Sequence, residues 1–162
     1  MDVKYDADGY VELTEALQTL IDQYPGLGFG EKFGFSMLKN NGKSIFPTTG
    51  AIIQQEVESI TGHVVQTCMY PFVVVYRVAG LSESKKASVK EWLDNFGRWL
   101  EKQTVVLKQG TYKLTEYPVL SGTREIRNIF RQSPAYLSTI NEDKTEDWVI
   151  NMAIQYRNEF DK

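Results

Sequence analysis

The side chains best suited to chemistry in this sequence occur singly: His63 is the only histidine and Cys68 is the only cysteine. A thiolate beside an imidazole would make a nucleophile, and a histidine with further ligands would hold zinc. The two residues are five positions apart in a segment that alternates like a β-strand, and an odd offset places side chains on opposite faces. The sequence therefore predicts a buried structural cysteine and a histidine at the edge of a turn, with no Cys–His dyad and no metal site.

Two further patterns are typical of enzymes but lack the rest of the required site. The glycine-rich residues 26–30 follow a predicted helix, whereas a phosphate-binding loop needs a strand before it and a helix after it. Glu56 and Glu58 share one face of a predicted strand, and Glu146 adjoins Asp147, but an acid–base pair that cleaves sugars also needs a cleft and a desolvated acid. We interpret the glycines as a loop and the acids as solvated, so we expect no catalytic residue, no cofactor and no enzyme activity.

Charge is distributed unevenly along the chain, although the net charge is only −3. Residues 1–31 contain seven acidic residues and one basic residue, whereas residues 85–131 contain ten basic and five acidic residues. Two complementary patches suit head-to-tail self-association, in which different surfaces of neighbouring subunits meet. We expect a subunit interface formed by these acidic and basic side chains: Asp6, Asp8, Glu12, Glu15, Arg124, Arg127 and Arg131.

The arginines of this set belong to a predicted strand over residues 124–131. Strict alternation would place Arg127 and Arg131 on one face and Arg124 on the other. No aromatic residues are interleaved with them in the manner of surfaces that bind single-stranded nucleic acid, so any contact with a DNA backbone is expected to be weak.

Two amphipathic helices are predicted. The first spans residues 11–24, because apolar residues recur at helical spacing until Pro25 and Gly26 stop them. The second follows Ser82 and runs to about Gln103. Gly97 inside it costs about 1 kcal/mol relative to Ala, which predicts a close contact between helix and sheet at that point.

Alternating segments predict the strands. Residues 33–38 lead through Asn40, Asn41 and Gly42 to residues 44–46, a pattern typical of a tight hairpin. The remaining predicted strands cover residues 51–60, 63–79, 124–131, 136–140 and 146–158. Pro71 has no N–H to donate, which predicts a bulge or an edge position for its strand.

Apolar residues on one face of the long strands match the apolar stripe of the second helix, and each surface is the natural cover of the other. We therefore expect a core in which aromatic residues of the helix pack on the sheet. The helix residues are Trp92, Phe96 and Trp99, and the strand residues are Tyr70, Phe72, Val74 and Trp148.

Together these elements predict one α+β domain over residues 1–162, with an antiparallel or mixed sheet, both helices packed on one face, and the order α-β-β-β-β-α-β-β. The other sheet face is either solvated or meets another subunit, since polar residues point there: Gln55, Arg77, Asn151, Gln155 and Arg157. We expect no membrane association and a reducing cytosol, because no apolar run approaches the ~18 residues of a membrane span and residues 1–9 lack the features of a signal peptide.

Residues 124–158 resemble the end of phage tail-terminator and minor capsid proteins. The resemblance lies in residues 131–137 (RQSPAYL), a polar turn, and residues 146–151 (EDWVIN), with Tyr156-Arg157 near the end of the last strand. The preceding order of helix, strands and helix is also similar to that family.

The resemblance implies a non-catalytic subunit that assembles head-to-tail into a ring, usually hexameric, which caps the tail tube and joins it to the head. It implies that the partners are other copies of the chain, the tail tube and head-connector proteins, and that the protein is found in the virion and the host cytoplasm. The alternatives are a small non-catalytic module that binds a ligand or a protein through the polar sheet face, and another component of the head–tail connector.

Overall fold

The computed structural model describes residues 3–38, 42–79, 83–120 and 122–162, and for residues 83 and 84 the backbone only. These residues contain two helices and ten strands, and no helix among them is long and apolar enough to cross a membrane. The elements follow in this order: β1 Lys4–Tyr5, α1 Ala7–Ile21, β2 Gly34–Phe35, β3 Lys43–Pro47, β4 Ile52–Glu58, β5 His63–Val78, α2 Glu83–Leu100, β6 Val105–Leu107, β7 Gly110–Tyr112, β8 Arg124–Arg131, β9 Tyr136–Ile140 and β10 Glu146–Asp161.

The two longest strands form the centre of the main sheet. β5 and β10 have 16 residues each and pair antiparallel throughout, from Glu146 opposite Val78 to Asp161 opposite His63. β3 and β4 share the other edge of β5, β8 and β9 share the other edge of β10, and β1 extends the sheet beyond β4. The pairings recorded for the described residues are antiparallel except for β2 with β3. The predicted α+β class and the broad order of elements are confirmed.

Both helices lie on the same face of the sheet, as predicted. That face carries the even-numbered residues of β5 and β10, which pair with one another across the two strands. On β5, the Tyr70 hydroxyl lies 2.8 Å from Thr14 Oγ1 of α1. On β10, Ile150 lies beneath α2 so closely that a Cβ built on Gly97 would be 3.0 Å from Ile150 Cδ1. The close contact that Gly97 predicted is therefore present.

The aromatic residues of α2 enter the core: Phe96 is 0% exposed, Trp99 is 5% exposed and Trp92 is half-buried. Their ring centroids lie 5.2 to 5.4 Å from that of Tyr24, which follows α1, and Trp92 also lies 5.4 Å from Tyr76 of β5. The Tyr24 hydroxyl is buried without a hydrogen-bond partner among the described residues, and burial raises its pKa to about 12. The expected strand residues belong to the same core: Tyr70, Phe72, Val74 and Trp148.

The opposite side of the sheet, called the open face below, is formed by the odd-numbered residues of β5 and β10. Neither helix packs on it, because both helices lie on the even-numbered side. Its centre is apolar, with Val75 and Val149 paired across the two strands and Ala153 paired with Pro71. Four of the five polar residues expected on this face lie at odd positions of the two strands, and Gln55 pairs with Thr67 on the same side. The centre of the open face is thus apolar and already buried within the chain, and its margin is polar.

The edge or bulge predicted at Pro71 is wrong. Pro71 lies in the middle of β5, which is the central strand, and pairs in regular register with Ala153. Its carbonyl accepts a hydrogen bond from the Thr48 N–H (3.2 Å), in the gap between the end of β3 and the start of β4. Since the N–H and C=O of a strand residue point the same way, the missing donor would point into this gap, where the ladder is interrupted.

The antiparallel hairpin predicted between residues 33–38 and 44–46 is also wrong. Only Gly34–Phe35 forms a strand there, and it pairs parallel with β3. Ser36 takes a φ of 51°, which ends the extended backbone immediately after Phe35. The predicted turn residues Asn40 and Asn41 lie outside the described residues, as does Ser82.

The segment after α2 consists of the β6–β7 hairpin and an extended stretch over residues 113–120. Tyr117 anchors this stretch, because its hydroxyl donates to the Leu100 carbonyl (2.7 Å) and accepts from the Ile129 N–H (3.2 Å). The Arg131 N–H, at the same edge of β8, is bound by the Glu101 carboxylate (3.1 Å). Side chains therefore satisfy two backbone donors that the edge of β8 would otherwise leave open.

Candidate assembly surface

Asp6 is an internal anchor of the fold. Its carboxylate caps α1 by accepting from the Gly9 N–H (3.1 Å), and it accepts from Arg124 Nε (2.8 Å) and Nη2 (2.6 Å). The Tyr156 hydroxyl donates to the same carboxylate (2.8 Å), and Asp6 is only 8% exposed. Burial alone would raise the pKa of Asp6, but the hydrogen bonds from Arg124, Tyr156 and Gly9 together hold this pKa below its usual range.

Glu12 joins the same cluster from the next turn of α1, since Arg124 Nη1 lies 3.5 Å from its carboxylate. The three side chains tie the start of α1 to the start of β8. Three of the seven residues expected at the interface are thus brought together, but inside one subunit.

Arg131 also has an internal partner. Its Nε donates to the Glu101 carboxylate (2.8 Å) just after α2, and its aliphatic portion passes beside Gly97. A Cβ on Gly97 would lie 2.6 Å from Arg131 Cδ, so the glycine leaves the space that this side chain occupies.

The predicted faces of the three arginines are wrong. Arg124 pairs with Asn158 and Arg131 with Met152, which places both on the side of the helices. The register shifts between Gln155 and Tyr156, and Arg127 is the extra residue on β8. A β-bulge of this kind changes the phase of the alternation, so Arg127 alone among the three lies on the open face.

On that face, Arg127 lies beside Arg157, which the sequence indicated only as one of several polar residues. Arg157 pairs with Glu125, which is two positions from Arg127 on the neighbouring strand. Together with Val65, Thr67 and Gln155 the two arginines line a shallow depression.

The two guanidinium groups have incomplete partners. Arg157 Nη2 lies 3.1 Å from the Glu159 carboxylate, but its Nε is buried and has no hydrogen-bond partner among the described residues. Arg127 is 47% exposed, and the one ion pair recorded for it within the described residues, with Glu125, is long at 3.7 Å. We call this depression, together with the adjoining Val57, the basic depression. Val57 pairs with Val65 and is 56% exposed.

The remaining interface residues, Asp8 and Glu15, lie on the outer side of α1. Both are exposed, as is Val11 between them at 56%. Positions 8, 11 and 15 are spaced at i, i+3 and i+7, so they form one stripe, about 10 Å long, on a helix without basic residues. We call these three residues the acidic stripe. It lies on the helix side of the sheet, opposite the open face.

Cys68 and His63 lie on opposite sides of the sheet. Cys68 is 0% exposed, burial raises the pKa of its thiol to about 11, and it pairs with Tyr156 on the helix side. His63 lies on the other side, at the end of β5, where its Nδ1 is 2.7 Å from Asp161 and its Nε2 is 2.5 Å from Glu159. Hydrogen bonds to the two carboxylates raise the pKa of His63.

The two acidic pairs differ, and the expectation that both are solvated is wrong for the second. Glu146 is buried and accepts from Trp148 Nε1 (3.1 Å), and Asp147 is ion-paired with Arg77 (2.7 Å). Glu56 and Glu58 are both exposed, and Glu56 accepts a hydrogen bond from Gln66 (2.7 Å), which lowers its pKa. The Gly26 carbonyl accepts from Trp92 Nε1 (3.1 Å), so the loop is attached to α2. Within the described ranges, no group of three His, Cys, Asp or Glu side chains is arranged to hold a metal ion.

No protein-family model matches the chain, and no curated protein matches it either. Support for a function therefore comes from the surfaces of the chain and from the resemblance of residues 124–158.

Proposed function

We propose that this chain is a phage tail-terminator or tail-completion subunit, a virion protein made in the host cytoplasm that forms a ring on the tail tube and joins the tube to the head. The resemblance that suggests this role spans β8, β9 and β10, which make up one half of the sheet. In this role the chain is structural and uses no catalytic residue or cofactor.

The observation that carries the proposal is that the subunit has two unlike surfaces on opposite sides of one sheet. The open face carries Arg127 and Arg157 beside Val57, which is 56% exposed. The helix side carries the acidic stripe of α1. A closed ring needs a heterologous contact, in which one surface of a subunit meets a different surface of the next.

The shape of the sheet supports the same role. An antiparallel sheet can leave one face in water, but such a face is then polar along its length. Here Val75 and Val149 at the centre of the open face are already buried within the chain, whereas Val73 and Met69 are half-buried and Val57 is 56% exposed. A neighbouring subunit would remove this apolar area from water, which is the main source of stability in association.

The proposal is tested with tail tubes. The major tail protein encoded by the same genome is polymerised with and without this chain, and the products are examined by electron microscopy and by native mass spectrometry. We expect a ring of copies at one end of each tube, and tubes that stop growing. We also expect the gene for this chain to lie just upstream of a major tail protein gene. Tubes of unchanged length with bare ends would contradict the proposed function.

A further inference from the structure

We propose that the acidic stripe of one subunit docks in the basic depression of the next copy. This inference rests on the proposed function and names the residues that form its ring contact. The contact joins Asp8 and Glu15 of one subunit with Arg127 and Arg157 of its neighbour.

Charge is the first argument. Asp8 and Glu15 are exposed and have no basic residue on their own helix. Among the described residues, the ion pair of Arg127 is a long one to Glu125 (3.7 Å), and Arg157 pairs through Nη2 with Glu159 (3.1 Å). The side chains of Arg127 and Arg157 are 47% and 37% exposed, so a carboxylate of another molecule can reach their exposed guanidinium nitrogens and form charge-assisted hydrogen bonds.

Shape and polarity are the second argument. In the acidic stripe, Asp8 and Glu15 are about 10 Å apart along the helix axis, with exposed Val11 between them. The basic depression has its two arginines on neighbouring strands, beside the exposed Val57 and the half-buried Val65. Each surface therefore has two like charges beside an apolar residue, and the two surfaces have opposite signs; Glu125 and Glu159 flank the arginines.

Position is the third argument. The stripe and the depression lie on opposite sides of the same sheet, so a subunit cannot satisfy its own depression. The contact then passes from one copy to the next, and repetition closes a ring or continues as a chain. The charges of Asp6, Glu12, Arg124 and Arg131 are used within the subunit, and we assign them no part in this contact.

A charge swap tests the contact. Glu15→Lys and Arg127→Glu each place like charges together at the contact. We therefore expect each substitution to raise the protein concentration needed for half-maximal assembly about tenfold or more. Assembly is measured in solution or on tube ends, wherever the wild type assembles. Equal mixing of the two variants, or Glu15→Lys/Arg127→Glu in one chain, makes every contact complementary again, and assembly is expected to recover. Glu142→Lys and Lys108→Glu, at exposed positions elsewhere, are the matched controls.

A disulfide gives a second measurement that does not depend on charge. Cys68 is fully buried, so Glu15→Cys/Arg127→Cys presents two new accessible thiols on opposite sides of the sheet. The two thiols are too far apart to join within one chain, so oxidation is expected to give a ladder of disulfide-linked copies. The control variant Glu142→Cys/Arg127→Cys is expected to give no such ladder.

Assembly of Glu15→Lys and Arg127→Glu at wild-type concentrations, with no ladder, would overturn this inference while the proposed function stands. Failure of the wild type to assemble either in solution or on tubes would instead refute the proposed function. Circular dichroism of each variant, compared with the wild type, confirms that the helices and the sheet are intact.

Discussion

Replacing Asp6 by Asn separates the two roles of this residue. Asn caps a helix about as well as Asp, so the bond from the Gly9 N–H is retained. The substitution removes the carboxylate opposite Arg124, whose side chain is only 15% exposed. A buried guanidinium then loses its main counter-charge.

The expected loss lies between two limits. Removing one partner of a buried ion pair costs about 3–5 kcal/mol, whereas an exposed pair contributes about 0–1 kcal/mol. Asp6 is buried, but Glu12 remains 3.5 Å from Arg124 and compensates in part. We therefore expect Asp6→Asn to lower the free energy of unfolding by about 2–3 kcal/mol, and Asp6→Ala to lose about 1 kcal/mol more because the cap is also lost.

Urea unfolding followed by tryptophan fluorescence measures these differences at pH 7. The double variant Asp6→Asn/Arg124→Met is the informative control, because it should lose less than the sum of the two single variants. A loss below about 0.5 kcal/mol for Asp6→Asn, or strict additivity in the double variant, would refute the reasoning.

Acid titration tests the same pair independently. Since the pKa of Asp6 is lowered in the folded chain, its contribution to stability is present above the unfolded pKa of about 3.9 and is lost as pH falls through the folded value. The difference between wild type and Asp6→Asn should therefore be full at pH 7 and shrink below about pH 4.

For three further substitutions, the structure determines whether stability should rise or fall. Gly97→Ala should lower the unfolding free energy by about 1 kcal/mol in urea, because crowding against Arg131 and Ile150 exceeds the gain in helix propensity; an increase would contradict this. Tyr24→Phe should raise it by about 1 kcal/mol, since it removes a buried hydroxyl without a partner, and an unchanged or lower value would show that the hydroxyl is satisfied. His63→Gln should lower the melting temperature at pH 6 and have little effect on it at pH 9. A raised histidine pKa stabilises the folded chain below the unfolded pKa of about 6.5, and this stabilisation is lost as pH rises through the folded pKa. Equal effects at both pH values would rule out the charged pairing of His63 with Glu159 and Asp161.

Patterns that are local in the sequence predicted the fold well. The alternation in β5 and β10 and the aromatic stripe of α2 are each contained in one segment, and the even-numbered strand residues do face the helices. Gly97 is a further success, because its cost in a helix indicated the close approach to Ile150.

Features that depend on the register between distant strands could not be predicted in this way. The bulge at Arg127 is defined only by the pairing of β8 with β10, and it moved Arg127 away from Arg124 and Arg131. Pro71 is tolerated in a central strand because two separate strands share one edge of β5 and leave a gap beside it. Asp6 and Arg124 are 118 residues apart, and the uneven charge indicated that their segments meet but not that they meet within one chain.

The pairing of β5 with β10 also sets the order of events during synthesis. β5 ends at Val78, and β10, which covers its longest edge, begins only at Glu146. At roughly 5–20 residues per second, several seconds pass on the ribosome while the valine-rich β5 lacks its main neighbour. Helix α2 is made in this interval and can shield one side of β5, but the other edge stays open until the last strand emerges. A nascent chain stalled before residue 146 should therefore be prone to aggregate and to need a chaperone.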